Sequence, residues 1–247
     1  MTNFLVVIED NRGSVHRMSK EAIAGAQNLD GNVTALVLGA NAESLAQELS
    51  SFEIDKTLIV NHDMVLTYNS DGYTEVVTKV IQSIDPDVII AGHSYQTRDF
   101  MPRVSARLDI PFISDVTMVD GDNYTKQVLN AKLNCTISSS SEKKILSFQS
   151  ACFSEEDIQN GSSSSETIDI ELDSSKVKSI SEEPFQESAS EVDLESADLI
   201  VSVGRGIEKE ENTSIAFDLA SVLNAEVSAS RPVVDAGWLP SSRQVGS

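Results

Sequence analysis

The strongest constraint on the fold of this chain is a rhythm: short apolar runs alternate with amphipathic stretches from Phe4 to Ala91. Phe4 to Ile8 (FLVVI) contains no polar residue, the pattern of a strand buried on both faces of a parallel sheet. Residues 19–29 then place Ala22, Ile23, Ala26 and Leu29 at helical spacing, with Ser19 as the expected N-cap. Residues 33–38, 56–60 and 88–91 read as further strands, and residues 42–50 and 73–83 as the helices between them. Strands and helices in alternation close into right-handed βαβ crossovers. The expected fold class is therefore α/β, a doubly wound and mostly parallel sheet.

From Pro111 to Ile170 the texture changes. PFISDVTMV, KQVLNAKLN and KKILSFQSACF are strand-like runs, with turns at Gly121-Asp122 and Ser138 to Ser141, which predicts an antiparallel extension of the sheet. ETIDIELD predicts an exposed edge strand, followed by a solvated linker toward Pro184. The α/β rhythm restarts with a strand at 199–203, a helix at 214–223 and the opening of a strand at 226. A chain of 247 residues favours two domains. These are expected at 1–189 and 190–247, the second holding only the opening strands of a sheet that needs about five.

Charge excludes whole classes of function. Eighteen basic against 39 acidic residues give a net charge of −21, which repels nucleic acid and anionic membrane surfaces. Glu155 to Glu195 alone holds 13 acidic residues against Lys176 and Lys178, a solvated acidic surface or, alternatively, a partner-binding strip. No apolar run approaches the roughly 18 residues of a membrane span, and no signal peptide is expected ahead of the first strand. Cys135 and Cys152 lack metal-binding spacing; their apolar neighbours predict buried, reduced thiols, with a cross-strand disulfide as the alternative. His16, His62 and His93 are scattered, and no enzyme-like constellation is evident. His93 stands just after a strand, where doubly wound folds take ligands. A free-standing nucleotide-binding domain would need a phosphate loop after the first strand, and IEDNRGSV offers only Gly13.

Gly204-Arg205-Gly206 lies between a strand and a helix, a context in which backbone N–H groups approach a phosphate; the plainer reading is a tight turn with a solvated Arg. Arg231 follows another strand, where it either serves a ligand or pairs with Asp235.

Ser228 to Ser247 reads SASRPVVDAGWLPSSRQVGS. With DLIVSVGRGI (Asp198 to Ile207), Glu211 and Asn212, it resembles the FAD-binding domain of electron transfer flavoprotein α subunits. IEDNRG, PDVIIAGHS, PRVSARLDIPFISDV and LNCTI resemble pieces of that family's first domain. The resemblance implies that Arg205 meets the FAD, that Arg231 stands near the flavin N5 and pyrimidine edge with Ser230 beside it, and that Gln244, Val245, Gly246 and Ser247 begin a loop around the isoalloxazine. Trp238 would pack beneath that loop. The family's later G-x-S-G-x-x-Q-H and I-N-x-D segments do not follow Ser247, so impaired FAD binding is expected. The resemblance also implies a non-enzymatic electron carrier, paired with a β subunit, that takes electrons from flavin dehydrogenases such as acyl-CoA dehydrogenases and passes them to a quinone-linked acceptor. Its expected location is the bacterial cytoplasm or, in a eukaryote, the mitochondrial matrix. The competing expectation is a non-redox scaffold that binds a β subunit and holds no flavin.

Overall fold

A computed structural model describes residues 1–182, 194 and 197–246. The chain forms two compact units, Met1–Glu183 and Pro184–Ser247. The boundary expected near Ser190, and the linker expected at Pro184, lie outside the described residues.

The first unit contains β1 (Thr2–Val7), a small ribbon of β2 (Asp10–Asn11) and β3 (Ser14–Val15), α1 (Arg17–Asn28), β4 (Gly31–Leu38), α2 (Ala42–Leu49), β5 (Lys56–Val60), α3 (Ser70–Ile84), β6 (Val88–Gly92), α4 (Tyr95–Leu108), β7 (Phe112–Asp120), β8 (Asn123–Val128), β9 (Leu133–Ser138), β10 (Lys144–Phe148) and β11 (Ser164–Thr167). Nine strands make one sheet in the order β11-β5-β4-β1-β6-β10-β7-β8-β9. Strand β1 shows why it is doubly wound: Phe4, Val6 and Ile8 pack on the side of α1 and α2, while Leu5 and Val7 pack on the side of α3 and α4. Each buried aliphatic or aromatic side chain of this kind contributes about 1.5–3 kcal/mol. The helix α1 approaches the sheet so closely that a Cβ on Gly25 would stand 2.7 Å from the rings of Phe148 and Phe153.

The antiparallel extension exists, but only at β7-β8-β9. Strand β10, from the KKILSFQSACF run, instead returns to the interior of the sheet and pairs parallel with both β6 and β7. All five of its residues are buried, so its apolar run reports burial on two faces rather than a hairpin edge. KQVLNAKLN is not one strand: Leu129, Asn130 and Ala131 all take positive φ and turn β8 into β9. An edge strand is present as β11, parallel to β5, but it overlaps ETIDIELD only at Glu166 and Thr167; Ile168, Ile170 and Leu172 beyond it are not strand and pack against the core.

Two helix starts differ from expectation. The cap of α1 is His16, whose Nδ1 accepts from Met18 N–H at 3.1 Å; Ser19 lies inside the helix, its Oγ accepting from Glu9 N–H at 2.9 Å. Helix α3 begins at Ser70 because Asn69 caps it by accepting from Gly72 N–H. No helix was expected at residues 95–108. Yet Thr97, Phe100, Met101 and Val104 form the buried stripe of α4, which carries Pro102 internally. Cys135 is exposed rather than buried, because the edge strand β9 is uncovered on both faces among the described residues, all but one of its six residues being exposed. Cys152 is half-buried against the core, and burial pushes its thiol up to about 11. Both cysteines are free.

The second unit comprises β12 (Ile200–Val203), α5 (Thr213–Leu223), β13 (Glu226–Ser230), α6 (Arg231–Asp235) and β14 (Gln244–Val245). Its three strands are parallel in the order β12-β13-β14. Ala216 and Ala220 of α5 face a small core with Val203, Val227, Ala229 and Val233, whereas Ile215, Leu219 and Val222 are exposed.

Candidate functional site

In the first unit the crevice where a doubly wound sheet reverses direction lies between β1 and β6. It is closed. Ser94 Oγ donates to Glu9 across it, and a Cβ on Gly92 would stand 2.5 Å from Met18 Cβ at the start of α1. The carboxylate of Asp10 is engaged by Gly13 N–H and Asn41 Nδ2. His93 is a satisfied residue rather than a reactive one. Its Nδ1 lies 2.8 Å from Ser147 Oγ, its Nε2 is 3.9 Å from Asp115 Oδ1, and its backbone N–H donates to Phe148 O. Ser147 Oγ itself accepts from Asp115 N–H at 3.2 Å. Ser147 is 0% exposed, so this Ser-His-Asp grouping presents no nucleophile to a substrate. Burial lowers the His93 pKa, with Asp115 opposing.

The second unit is arranged differently. Val203 pairs with Ala229, and Ala229 and Ser230 pair with Gln244 and Val245. The register therefore brings Gly204-Arg205, Ser230-Arg231 and Val245-Gly246 to one place, the C-terminal edge of three parallel strands. Open α/β sheets bind ligands at this edge. Beneath it Ser202 Oγ and Ser228 Oγ are 2.7 Å apart, joining β12 to β13. Gly204, Gly206 and Gly246 have no heavy atom within 4 Å of where a Cβ would stand, so the backbone along this edge is open to a ligand.

The P-V-V-D-A-G-W turn that links the site's strands has a local cause. After Ser230, α6 makes little more than one turn, and Gly237 ends it in the left-handed region at φ +75. Gly237 N–H donates to Val234 O at 2.8 Å and Trp238 N–H to Val233 O at 3.2 Å, the paired bonds of a Schellman C-cap. Trp238 packs half-buried against the same core as Val233. The chain is thereby turned back, and Ser241–Arg243 lead into β14.

The family model described as Electron transfer flavoprotein domain matches residues 4–174, and the one described as Electron transfer flavoprotein FAD-binding domain matches residues 193–247. The chain belongs to the electron transfer flavoprotein α-subunit family. It is 32% identical to the electron transfer flavoprotein subunit alpha of Bacillus subtilis (strain 168), over 98% of this chain and 76% of that protein. It is 33% identical to the probable mitochondrial electron transfer flavoprotein subunit alpha of Caenorhabditis elegans, over 100% of this chain and 74% of that one. Protein FixB of Clostridium saccharobutylicum is 27% identical over 98% of the chain and 75% of its own length. The chain thus spans about three quarters of these relatives.

Within this electron transfer flavoprotein chain, the residues singled out from sequence share one sheet edge, except Ser247, which lies outside the described residues. One detail of the expectation changes. Gly204-Arg205-Gly206 does not run directly into a helix: two 3-10 turns, Arg205–Ile207 and Glu210–Asn212, intervene before α5 starts at Thr213. Arg231 follows strand β13 as the first residue of α6. Its Nε stands 3.5 Å from Asp235 Oδ2 while its side chain stays 64% exposed. Sequence reasoning passed over Arg243. Its side chain is only 20% exposed and its guanidinium reaches inward to β13 and α5, a role with no local sequence signal.

FAD fits this edge chemically. Two exposed guanidinium-bearing residues, Arg205 and Arg231, and glycine backbone free of crowding suit an anionic, planar ligand. Among the described residues no group of three His, Cys, Asp or Glu could hold a metal ion, and no helix is long and apolar enough to cross a membrane.

Proposed function

We propose that this chain is the α subunit of a heterodimeric electron transfer flavoprotein, a carrier rather than an enzyme. In this reading FAD lies along the C-terminal edge of β12-β13-β14, with Arg205, Ser230, Arg231, Gln244, Val245, Gly246 and Ser247 as its contacts. FAD supplies the capacity to take up and release electrons. The protein residues bind it, orient it and set its electrostatic surroundings. Arg231 presents a permanent positive charge that favours negative charge on the reduced ring. The first unit serves as the surface for the β subunit. Electrons arrive from flavin dehydrogenases such as acyl-CoA dehydrogenases and leave to a quinone-linked acceptor, in the bacterial cytoplasm or the mitochondrial matrix. The observation that carries this reading is the convergence of three loop starts on one sheet edge, within the residues matched by the FAD-binding family.

A second reading is a non-redox scaffold that binds a β subunit without flavin. The exposed apolar face of α5, with Val222 84% exposed, favours it, because unpartnered apolar surface of this kind suits docking of a protein rather than of a flavin. One experiment separates the two. The chain is co-expressed with a β subunit, and the complex is measured by size-exclusion chromatography with light scattering and by visible absorption. A heterodimer with a flavin spectrum supports the carrier, and a colourless heterodimer supports the scaffold. A monomer that ignores its β partner overturns both.

A further inference from the structure

We propose that Arg243 is a positioning residue that clamps the Gln244-Val245-Gly246 segment in place without itself touching the cofactor. The inference rests on the reading above, in which that segment contacts FAD.

Strand β14 is only two residues long and, among the described residues, pairs with Ala229 and Ser230 alone, a ladder too short to be stable by itself. Immediately before it, Arg243 makes three tertiary contacts. Its Nη1 donates to Val227 O at 2.7 Å and lies 3.6 Å from Glu226 Oε2, and the guanidinium sits 5.6 Å from the centroid of the Phe217 ring. Val227 is two residues before Ala229 on β13. The side chain thus donates to β13 just where the two-residue strand offers no backbone partner. The hydrogen bond to a carbonyl from a charged donor is of the stronger kind, and contact with a ring face adds to it. Lysine could keep the hydrogen bond but has neither the planar fork nor its stacking.

Arg243 therefore differs from Arg205 and Arg231. Those two belong to exposed residues at the open edge, whereas Arg243 is turned inward and spent on β13 and α5. A segment of two strand residues and a glycine, released from this anchor, would sample other positions, and a ligand contacted by it would be held less long.

The test uses the α/β complex with wild-type chain, R243A, R243K and E226Q. Amide hydrogen exchange is read at Gln244 to Gly246, and flavin release is followed by fluorescence. R243A is expected to speed exchange in that segment at least tenfold, leave β1 and β6 of the first unit unchanged, and speed flavin release about tenfold. R243K should recover most of the protection, and E226Q should change it by no more than about twofold. Wild-type exchange at Gln244 to Gly246 in R243A overturns the clamp. So does faster exchange in R243A that extends equally over β12 and β13, since a general loosening of the second unit then explains it. If R243A does not fold, R243K decides: flavin release faster than wild type by less than tenfold, with exchange close to wild type, supports the clamp, and wild-type release overturns it. If the wild-type complex takes up no FAD, the reading of the site fails, while the exchange measurement still judges the clamp.

Discussion

Arg231 and Asp235 stand one helical turn apart on α6, with Nε 3.5 Å from Oδ2 and both side chains about two-thirds exposed. An exposed ion pair of this geometry is worth roughly 0–1 kcal/mol, so it does not hold Arg231 away from a ligand. The pair and the proposed flavin contact are compatible, because the guanidinium has other N–H donors to offer.

Removing that charge should therefore act on the cofactor and hardly on the fold. Arg231→Ala is expected to lower the reduction potential of the bound flavin in the α/β complex, since a fixed positive charge beside the reduced ring is lost. At an effective dielectric of about 20, a charge roughly 4 Å away contributes up to about 4 kcal/mol before solvent compensates. Spectroelectrochemical titration measures it. An unchanged potential would rule out the role.

The turn that follows Arg231 depends on one glycine. Gly237 holds φ +75 as the residue after the α6 C-cap, in open space, so any cost of a substitution there is conformational rather than steric. Gly237→Ala is expected to destabilise the second unit by about 1 kcal/mol, the typical cost of placing an L side chain in the left-handed region. Urea denaturation followed by Trp238 fluorescence reads this directly, because Trp238 is the chain's single tryptophan.

How much of this was legible in the sequence depends on the range of the interactions involved. Strand β5 was read with its observed limits, Lys56–Val60, because the local β-branched and apolar run Thr57–Val60 stands between polar residues. The residues of the candidate site were named through their resemblance to a flavin-binding family, and the described ones meet at one sheet edge because strand register, not local sequence, brings them together. Strand β10 was misplaced because its parallel pairing of Lys144 with Val88 joins residues distant in sequence, and an apolar run cannot state its neighbours. Helix α4 was hidden because its buried stripe includes Thr97 and its interior includes Pro102, so neither apolar periodicity nor helix propensity marks it. Arg243 was invisible for the same reason as β10: its partners Phe217, Glu226 and Val227 come from other elements.

His93 gives the first unit a pH dependence of known sign. Burial lowers its folded pKa below the usual 6.5, so the folded state favours the neutral ring, whose Nδ1 shares a hydrogen bond with Ser147 Oγ. Above the unfolded value both states are neutral and the stabilisation is fully present. As the pH falls through 6.5 the unfolded chain takes up a proton that the folded chain resists, and stability declines until the lower folded pKa is passed. Attraction from Asp115 limits the effect. His93→Gln should therefore flatten the fall in Tm between pH 7.5 and 5.5. Differential scanning calorimetry of both proteins checks it, and parallel curves would remove His93 as the cause.

A polypeptide of these 247 residues is expected to bind FAD weakly even in complex with its partner. The cofactor's diphosphate carries two negative charges, and their desolvation must be offset by aligned N–H donors at a helix N-terminus. The second unit supplies little of that kind. The helix α6 has five residues and Pro232 in its first turn, which removes one donor, and the two 3-10 turns after Gly204 keep α5 from starting at the site. Arg205 and Arg231 provide charge but not a cradle. The exposed Ile215, Leu219 and Val222 of α5 further predict a unit that opens readily, since apolar surface left in water contributes nothing to its stability. Isothermal titration of FAD into the complex should give a Kd weaker than about 10 μM, that is, less than about 7 kcal/mol of binding free energy. Limited proteolysis should cut the second unit well before the first. Stoichiometric binding at nanomolar affinity with a protease-resistant second unit would show that the sheet edge alone, with its two arginines and open glycines, is enough to hold the flavin.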